Sequence, residues 1–247
     1  MAAISLIGVI VIWMLVALAV DDPLILPNPL QVLSALEESW RRILTKDLTT
    51  SLLHFAIGMV AALLIALPIG MIMGWFRWAD ELLDPIVEVI RPIPPLAWIP
   101  FAIIWFGLTN EAAGFIIFMG AVFPILINTY VGFRNLPKVY VESAKVLGAV
   151  KDIDLIWYIA FPFALPSIAG GIRIGMGIAW MCLVAAEMFG VSTSGLGYEI
   201  WFNYSLHRME YVLLYMIVLG LLGLLIDRSF RYIVEDRMLR WRVGLTQ

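Results

Sequence analysis

Charged residues and cysteine are scarce in this sequence. Only 14% of the 247 residues are charged, 62% are hydrophobic and the mean hydropathy is +0.95, whereas a soluble domain is about 45–50% apolar. This composition excludes an ordinary soluble domain and predicts an integral membrane protein. The single cysteine, Cys182, excludes an internal disulfide, and its apolar surroundings favour a buried thiol.

Motifs for catalysis are missing as well. The sequence has no G-x-x-x-x-G-K-[ST] phosphate loop, no H-E-x-x-H pair and no G-x-S-x-G elbow. Any ATP hydrolysis must therefore come from another polypeptide. His54 and His207 stand apart from each other and from Cys182, so we expect ordinary lipid-facing or loop histidines. We expect no catalytic residue, metal or cofactor in this chain, and the scattered basic residues give no nucleic-acid footprint.

Long apolar runs dominate what is present. Six of them approach the roughly 20 residues that a membrane-spanning helix needs, which predicts an all-α, polytopic bundle forming a single transmembrane domain over residues 1–247. The runs are Ala2–Val20, Ser51–Met73, Pro85–Leu108, Ala112–Phe133, Phe163–Val191 and Tyr211–Ile226. The first could instead be a signal peptide, because Ala17-Leu18-Ala19 resembles a cleavage site; the lack of a basic start favours a retained helix.

Basic residues in the short loops predict that both termini lie in the cytoplasm. This orientation places ten of them inside: Arg77, Arg134, Lys138, Lys145, Lys151, Arg228, Arg231, Arg237, Arg240 and Arg242. Four lie outside: Arg41, Arg42, Lys46 and Arg208. Residues 228–247 then form a cytoplasmic tail.

An outer segment, residues 30–46, has the pattern of a short amphipathic helix. Three prolines before it (Pro23, Pro27 and Pro29) prevent an earlier helix start. Apolar residues then recur at three- and four-residue intervals. The segment either lies along the outer interface or packs on the bundle.

A cytoplasmic loop, residues 134–162, contains a second short helix. Asn135 can cap it, Pro137 suits its first turn, and Gly148 supplies a left-handed stop, which gives about 11 residues. Lys138, Glu142 and Lys145 share one face, while Val139, Ser143 and Val146 share another. The helix is either a docking surface for another protein or a solvated surface helix.

This loop carries a family resemblance. Glu142-Ser143-Ala144, three further residues and Gly148, followed by Phe161-Pro162-Phe163-Ala164-Leu165-Pro166, resemble the EAA loop of ATP-binding-cassette (ABC) importer permeases. Other matching stretches make the chain similar to the nitrate, sulfonate and taurine branch of these type I permeases. They are Pro27-Asn28-Pro29, Arg91 to Pro100, Ala185-Ala186-Glu187, Gly195-Leu196-Gly197-Tyr198, and Asp227-Arg228 to Arg240-Trp241-Arg242.

The resemblance implies an importer subunit in the cell membrane whose partners are a second copy of the chain, cytoplasmic ABC ATPase subunits and an extracytoplasmic solute-binding protein. ATP and Mg would be bound by the ATPase. The implied coupling residues are Pro137, Lys138, Glu142, Ser143, Ala144, Lys145 and Gly148. Two features depart from the family pattern: Ser143 replaces the usual alanine, and the spacing from Gly148 to Pro162 is one residue longer.

Charges and prolines inside the apolar runs are further candidates, because a buried charge is costly unless paired or hydrated. Glu88 and Arg91 can neutralise each other one turn apart, whereas Arg173 and Glu187 are too distant to pair and are expected to face the interior or a water-filled path. The prolines from Pro92 to Pro100 must unwind the third run. The candidate translocation path comprises Arg91, Pro94, Pro95, Trp98, Arg173 and Glu187.

Glycines thin one stretch of the fifth run and permit close helix approach, either within the chain or to a second copy. They are Gly170, Gly171, Gly175 and Gly177. The expected solute is a small anion or zwitterion such as nitrate, a sulfonate, taurine or bicarbonate. The alternative function is an ion-gradient-driven secondary transporter, which should show repeat symmetry and paired broken helices; the sequence offers one proline-broken run and no matching second half.

Overall fold

The computed structural model describes residues 2–238, and this part of the chain contains helices and no strands. Arg240, Trp241 and Arg242 of the predicted tail lie outside the described residues. The α-helices are α1 (Ala2–Val20), α2 (Pro29–Arg42), α3 (Leu48–Trp75), α4 (Arg77–Ile90), α5 (Ile99–Phe106), α6 (Asn110–Arg134), α7 (Lys138–Val146), α8 (Asp152–Leu155), α9 (Phe161–Met188), α10 (Leu196–Ser205) and α11 (Met209–Phe230). The predicted all-α fold class is confirmed.

Within the described residues, four helical stretches are long and apolar enough to cross a membrane: Pro29–Trp75, Asn110–Arg134, Asp152–Met188 and Met209–Val234. The bent pair α4 and α5 would make a fifth, and α1 contributes a shorter apolar helix. The predicted first run coincides with α1, and the last run continues past Asp227 to Phe230 as part of α11.

Two π-helical turns join shorter helices to long ones. The first π-turn, Ile43–Asp47, makes α2 continuous with α3, and the second, Ile156–Ala160, joins α8 to α9. The α2 helix begins at Pro29 because Asn28 and Gln31 form a reciprocal capping box. Its Val32 and Ala35 are buried in a cluster with Tyr211 and Leu214 of α11.

The centre of the bundle is α6, which packs between α3 and α9. Glycines allow the close approach: a Cβ at Gly58 of α3 would lie 2.5 Å from Ile117, and one at Gly171 of α9 would lie 2.5 Å from Asn128. Gly175 also packs on α6, whereas a Cβ at Gly170 or Gly177 would meet open space. The glycine stretch of α9 therefore serves packing within the chain on one face and leaves the other face open.

The predicted third span, Pro85–Leu108, is not one helix. The α4 helix ends at Ile90, a 3-10 turn occupies Pro95–Trp98, and α5 starts at Ile99 with a bend of 85° between the two arms. Proline lacks the amide hydrogen that a helix requires, so Pro92, Pro94 and Pro95 end α4 and prevent it from continuing. The predicted local unwinding is confirmed, and the bend is larger than a kink.

Candidate functional site

The short helix α7 occurs where the loop pattern predicts it, but its start differs. The first helical residue is Lys138, with Pro137 at the N-cap, and Asn135 instead ends α6, where its backbone N–H donates to Val131. The predicted Asn135 cap is therefore wrong, since α6 extends farther than expected, and α7 has nine residues rather than about 11.

The end of α7 matches the prediction. Gly148 has a φ of +101°, a conformation that favours glycine. The Gly148 N–H donates to the Lys145 carbonyl and the Ala149 N–H donates to the Ala144 carbonyl at 3.0 Å. This pair of bonds is a Schellman stop, which terminates the helix and satisfies its last carbonyls.

The predicted coupling residues are mostly exposed. Ala144 is buried, and the others (Pro137, Lys138, Glu142, Ser143, Lys145 and Gly148) are exposed. The apolar residues beside them are exposed too: Val146 is 87% and Leu147 is 88% accessible. Among the described residues, Lys138, Glu142 and Lys145 form no ion pair. The α7 surface is therefore an unpartnered mixture of charge and large apolar groups.

Glu187 lies in a polar network inside the other end of the bundle. Its carboxylate accepts hydrogen bonds from Ser51 Oγ at 2.9 Å and from the Gly197 N–H at 2.8 Å, and its Oε1 lies 2.8 Å from His54 Nδ1. Both Glu187 and His54 have no accessible surface. The predicted interior position of Glu187 is confirmed, and its oxygens are occupied by groups of the chain itself.

His54 completes this Glu187 network, which we define as Ser51, His54, Asn110, Glu187 and Gly197. Its Nε2 atom lies 2.9 Å from Asn110 Oδ1, so both ring nitrogens have a polar partner within the chain. The expectation of a lipid-facing or loop histidine is wrong for His54. A histidine and a glutamate within apolar runs each needed a partner, and this signal could have suggested the pair.

Gly195 closes the network. Its φ is +128°, and a Cβ there would lie 2.5 Å from the Glu187 carboxyl carbon. Because the backbone from Gly195 to Gly197 passes so close, the Gly197 N–H can reach the carboxylate at the start of α10. A negative charge at a helix N-terminus is favourable, so Glu187 fixes α10 to α9.

A second polar cluster joins α2 to α10 and α11. Arg42 pairs with Glu199, and Tyr215 donates to Asp47 at 2.8 Å. Burial raises the pKa of Glu199, and the nearby Arg42 opposes this rise. Together with the Glu187 network, this cluster ties α10 to three other elements. No group of three or more histidine, cysteine or acidic side chains in the described part of the chain could hold a metal ion.

The two arginines of the candidate path differ in their partners. Arg173 makes a two-bond pair with Asp227 of α11, at 2.9 and 3.1 Å, so its charge is neutralised within the chain. The Arg91 side chain forms no ion pair or hydrogen bond with the residues that the structure describes, and the expected pairing with Glu88 does not occur. Arg91 directly follows α4 with a helical backbone, and its N–H donates to the Val87 carbonyl at 2.9 Å.

Arg91 lies at the bend and lines a groove of about 360 Å³. The walls of this Arg91 groove come from three places: the bend (Arg91 and Pro95), α6 (Phe123 and Asn128) and α9 (Ile174 and Ile178). Pro94 lies in the bend beside it, and Trp98 is in the 3-10 turn, where its buried indole N–H has no partner among the described residues. The structure thus brings Arg91 and Pro95 together and leaves Arg173 and Glu187 elsewhere.

A helical membrane bundle with a broken span and an exposed short helix is the architecture that the EAA-loop resemblance implies. Residues 66–239 match the family described as binding-protein-dependent transport system inner membrane component. This match covers more than half of the chain, and the chain belongs to that family. It is a multi-pass plasma-membrane protein, the permease of an ABC importer of the nitrate, taurine and bicarbonate branch.

Individual relatives agree with this assignment. The chain is 44% identical over 238 residues to a protein of Methanocaldococcus jannaschii named as an ABC transporter permease, covering 94% of this chain and 88% of the relative. It is 33% identical over 244 residues to the nitrate import permease NrtB of Synechocystis (94% and 86% covered). It is 32% identical over 235 residues to the taurine transport permease TauC of Escherichia coli (93% and 84% covered).

Proposed function

We propose that this permease forms the path for a small anion or zwitterion, such as nitrate, a sulfonate, taurine or bicarbonate, and docks a separate cytoplasmic ATPase through α7. The ATPase binds ATP and Mg, and a solute-binding protein delivers the solute from outside. Relatives named for nitrate and taurine transport support the solute class. The absence of a phosphate loop from the sequence supports a separate ATPase.

The observation that carries the docking proposal is the surface of α7. A helix of nine residues is marginal by itself in water, yet it ends in a complete Schellman stop and exposes Val146 and Leu147 almost fully. Exposed apolar groups rimmed by charge are typical of a protein interface. Ala144, the buried member, anchors the helix to the bundle and leaves the remaining coupling residues free for a partner.

We also propose that two copies of the chain enclose the path. On α9, the Ile174 and Met181 side chains are exposed. A Cβ at the adjoining Gly170 or Gly177 would meet no atom within 4 Å. Small residues next to large apolar ones allow two helices to approach closely in a membrane. This face adjoins the Arg91 groove, so a second copy would close the side that α6 leaves open.

The docking proposal is tested by replacing Gly148 with valine. A β-branched residue is strained at a φ of +101°, so the stop should be distorted and the last turn of α7 displaced. We expect solute-stimulated ATP hydrolysis by the reconstituted complex to fall at least tenfold while the permease remains folded. Gly220→Ala in α11, where a Cβ also meets open space but the helix is regular, is the matched control.

Two results would contradict the proposed function. Stimulation that survives Gly148→Val would remove α7 from the coupling path. Solute uptake by proteoliposomes that contain only this chain and an ion gradient would establish the secondary transporter instead.

A further inference from the structure

The Arg91 groove has an unusual balance of charge. Arg91 is the single charged side chain among the described residues that line it, and Asn128 is the single amide; the rest of the lining is apolar or glycine. Arg91 is exposed, so its guanidinium is accessible to a solute in the groove, and no carboxylate of the described lining competes for it. Arginine presents several donors in a fixed plane suited to an oxyanion.

The arginines of α6 and α9, the two helices that line the groove opposite the bend, are paired with carboxylates. Arg173 is paired with Asp227, and Arg134 lies 3.6 Å from an oxygen of Asp80. Arg91 therefore supplies the uncompensated positive charge at the bend. The prolines keep it there, because α4 cannot continue and the chain turns by 85° directly after Arg91.

Asn128 offers a second donor from the facing helix. Its Nδ2 atom donates to the Pro124 carbonyl at 2.8 Å, which sets the orientation of the amide. An amide nitrogen carries two hydrogens, so one remains for a ligand. Gly171 supports this position, because a Cβ there would lie 2.5 Å from the Asn128 Cβ and push the side chain away.

The described lining of the groove has no carboxylate that could pair with a positively charged group of a solute. None of its described lining residues is acidic, and an ammonium placed against apolar walls would be desolvated without compensation. We propose that the Arg91 groove binds one small monovalent oxyanion of the nitrate, bicarbonate or alkylsulfonate type and discriminates against zwitterions that carry an ammonium. This inference rests on the proposed function and narrows its solute class.

A cysteine-protection experiment tests the site directly. Ile127 lines the groove, and Cys182 is the single natural cysteine, so Cys182→Ala with Ile127→Cys gives one reporter thiol in the full-length chain. We expect sodium nitrate at millimolar concentration to slow alkylation of this thiol by N-ethylmaleimide. Taurine at the same concentration, and sodium chloride at the same ionic strength, should leave the rate unchanged. Ile25 is exposed and lies far from the groove residues along the chain. Ile25→Cys in the Cys182→Ala background therefore controls for any effect of nitrate on N-ethylmaleimide itself.

Variants identify the groups that bind. Arg91→Gln should raise the nitrate concentration needed for protection roughly tenfold or more, as expected when a charge-assisted hydrogen bond is lost. Arg91→Lys should retain part of the protection, and Asn128→Leu should weaken it less than Arg91→Gln does. Arg77→Gln removes an exposed arginine from the same helix, α4, and should leave protection intact.

The outcomes separate this inference from the proposed function. Absence of nitrate protection, or protection that persists in Arg91→Gln, overturns the site even when ATP-driven uptake is intact. Equal protection by taurine overturns the discrimination against zwitterions. Protection requires no ATPase, so a failed coupling experiment with Gly148→Val would defeat α7 docking and leave the anion site standing.

Discussion

The Glu187 network and the α7 helix differ in which groups they bury and which they expose. In the network, a carboxylate and an imidazole lie in the bundle interior, and each is bonded to atoms of the same chain. On α7, valine and leucine side chains lie in solvent and the charged residues have no described ion partner. The polar groups of the network are satisfied within the chain, whereas the exposed groups of α7 are left for the partner that we propose.

Replacing one glutamate in each region by alanine gives the largest expected difference in the free energy of unfolding. Glu187→Ala leaves the buried polar groups of Ser51, His54 and Gly197 without their partner and should lower the free energy of unfolding by about 3–5 kcal/mol. Glu142→Ala on the exposed face of α7 should change it by less than about 0.5 kcal/mol. Thermal or denaturant unfolding of the purified full-length chain in detergent measures both. Similar losses of unfolding free energy for the two variants would show that Glu142 stabilises the fold as much as Glu187 does.

Gly195 and Gly148, which both have a positive φ, give a smaller contrast. Gly195→Ala combines backbone strain with a contact of 2.5 Å to the Glu187 carboxyl group and should cost about 3 kcal/mol. Gly148→Ala has the strain but meets nothing within 4 Å, so about 1 kcal/mol is expected. The same unfolding measurement compares them. An equal cost at both sites would mean that the carboxylate moves aside without loss.

The smallest expected effect on stability is at the tip of α7. Leu147→Ser should leave the unfolding temperature of the isolated chain unchanged, because that side chain has almost no contacts to lose. It should weaken co-purification of the ATPase with the permease, whereas Leu30→Ser, exposed on α2, should not. A marked fall in unfolding temperature would indicate that Leu147 packs on its own chain.

Local signals explain what could be predicted from the sequence. Glycine and proline act on the backbone within a few residues, so the Gly148 stop and the interruption of the third span follow from the residue types. Asn135 failed as a cap because two helices compete for it, and the packing of α6 against α3 and α9 decides the outcome. The apolar runs likewise predicted the long helices but could not give the 85° bend, which depends on how the two arms pack.

Contacts between distant residues could not be predicted in the same way. His54 and Glu187 are 133 positions apart, and Arg173 and Asp227 are 54 apart. The cost of a buried charge indicates that each needs a partner, but several pairings satisfy that condition. Only the tertiary arrangement assigns Arg173 to Asp227 and leaves Arg91 without a carboxylate.

The second π-turn, Ile156–Ala160, has a consequence for how α7 is oriented. A π-turn holds one residue more than the α-helical turn it replaces, and this chain has one residue more than the family pattern between Gly148 and Pro162. The surplus in the sequence thus equals the one additional residue that the π-turn holds. Deleting one residue here should convert the π-turn into a regular α-helical turn and leave α7 and α9 close to their present orientation.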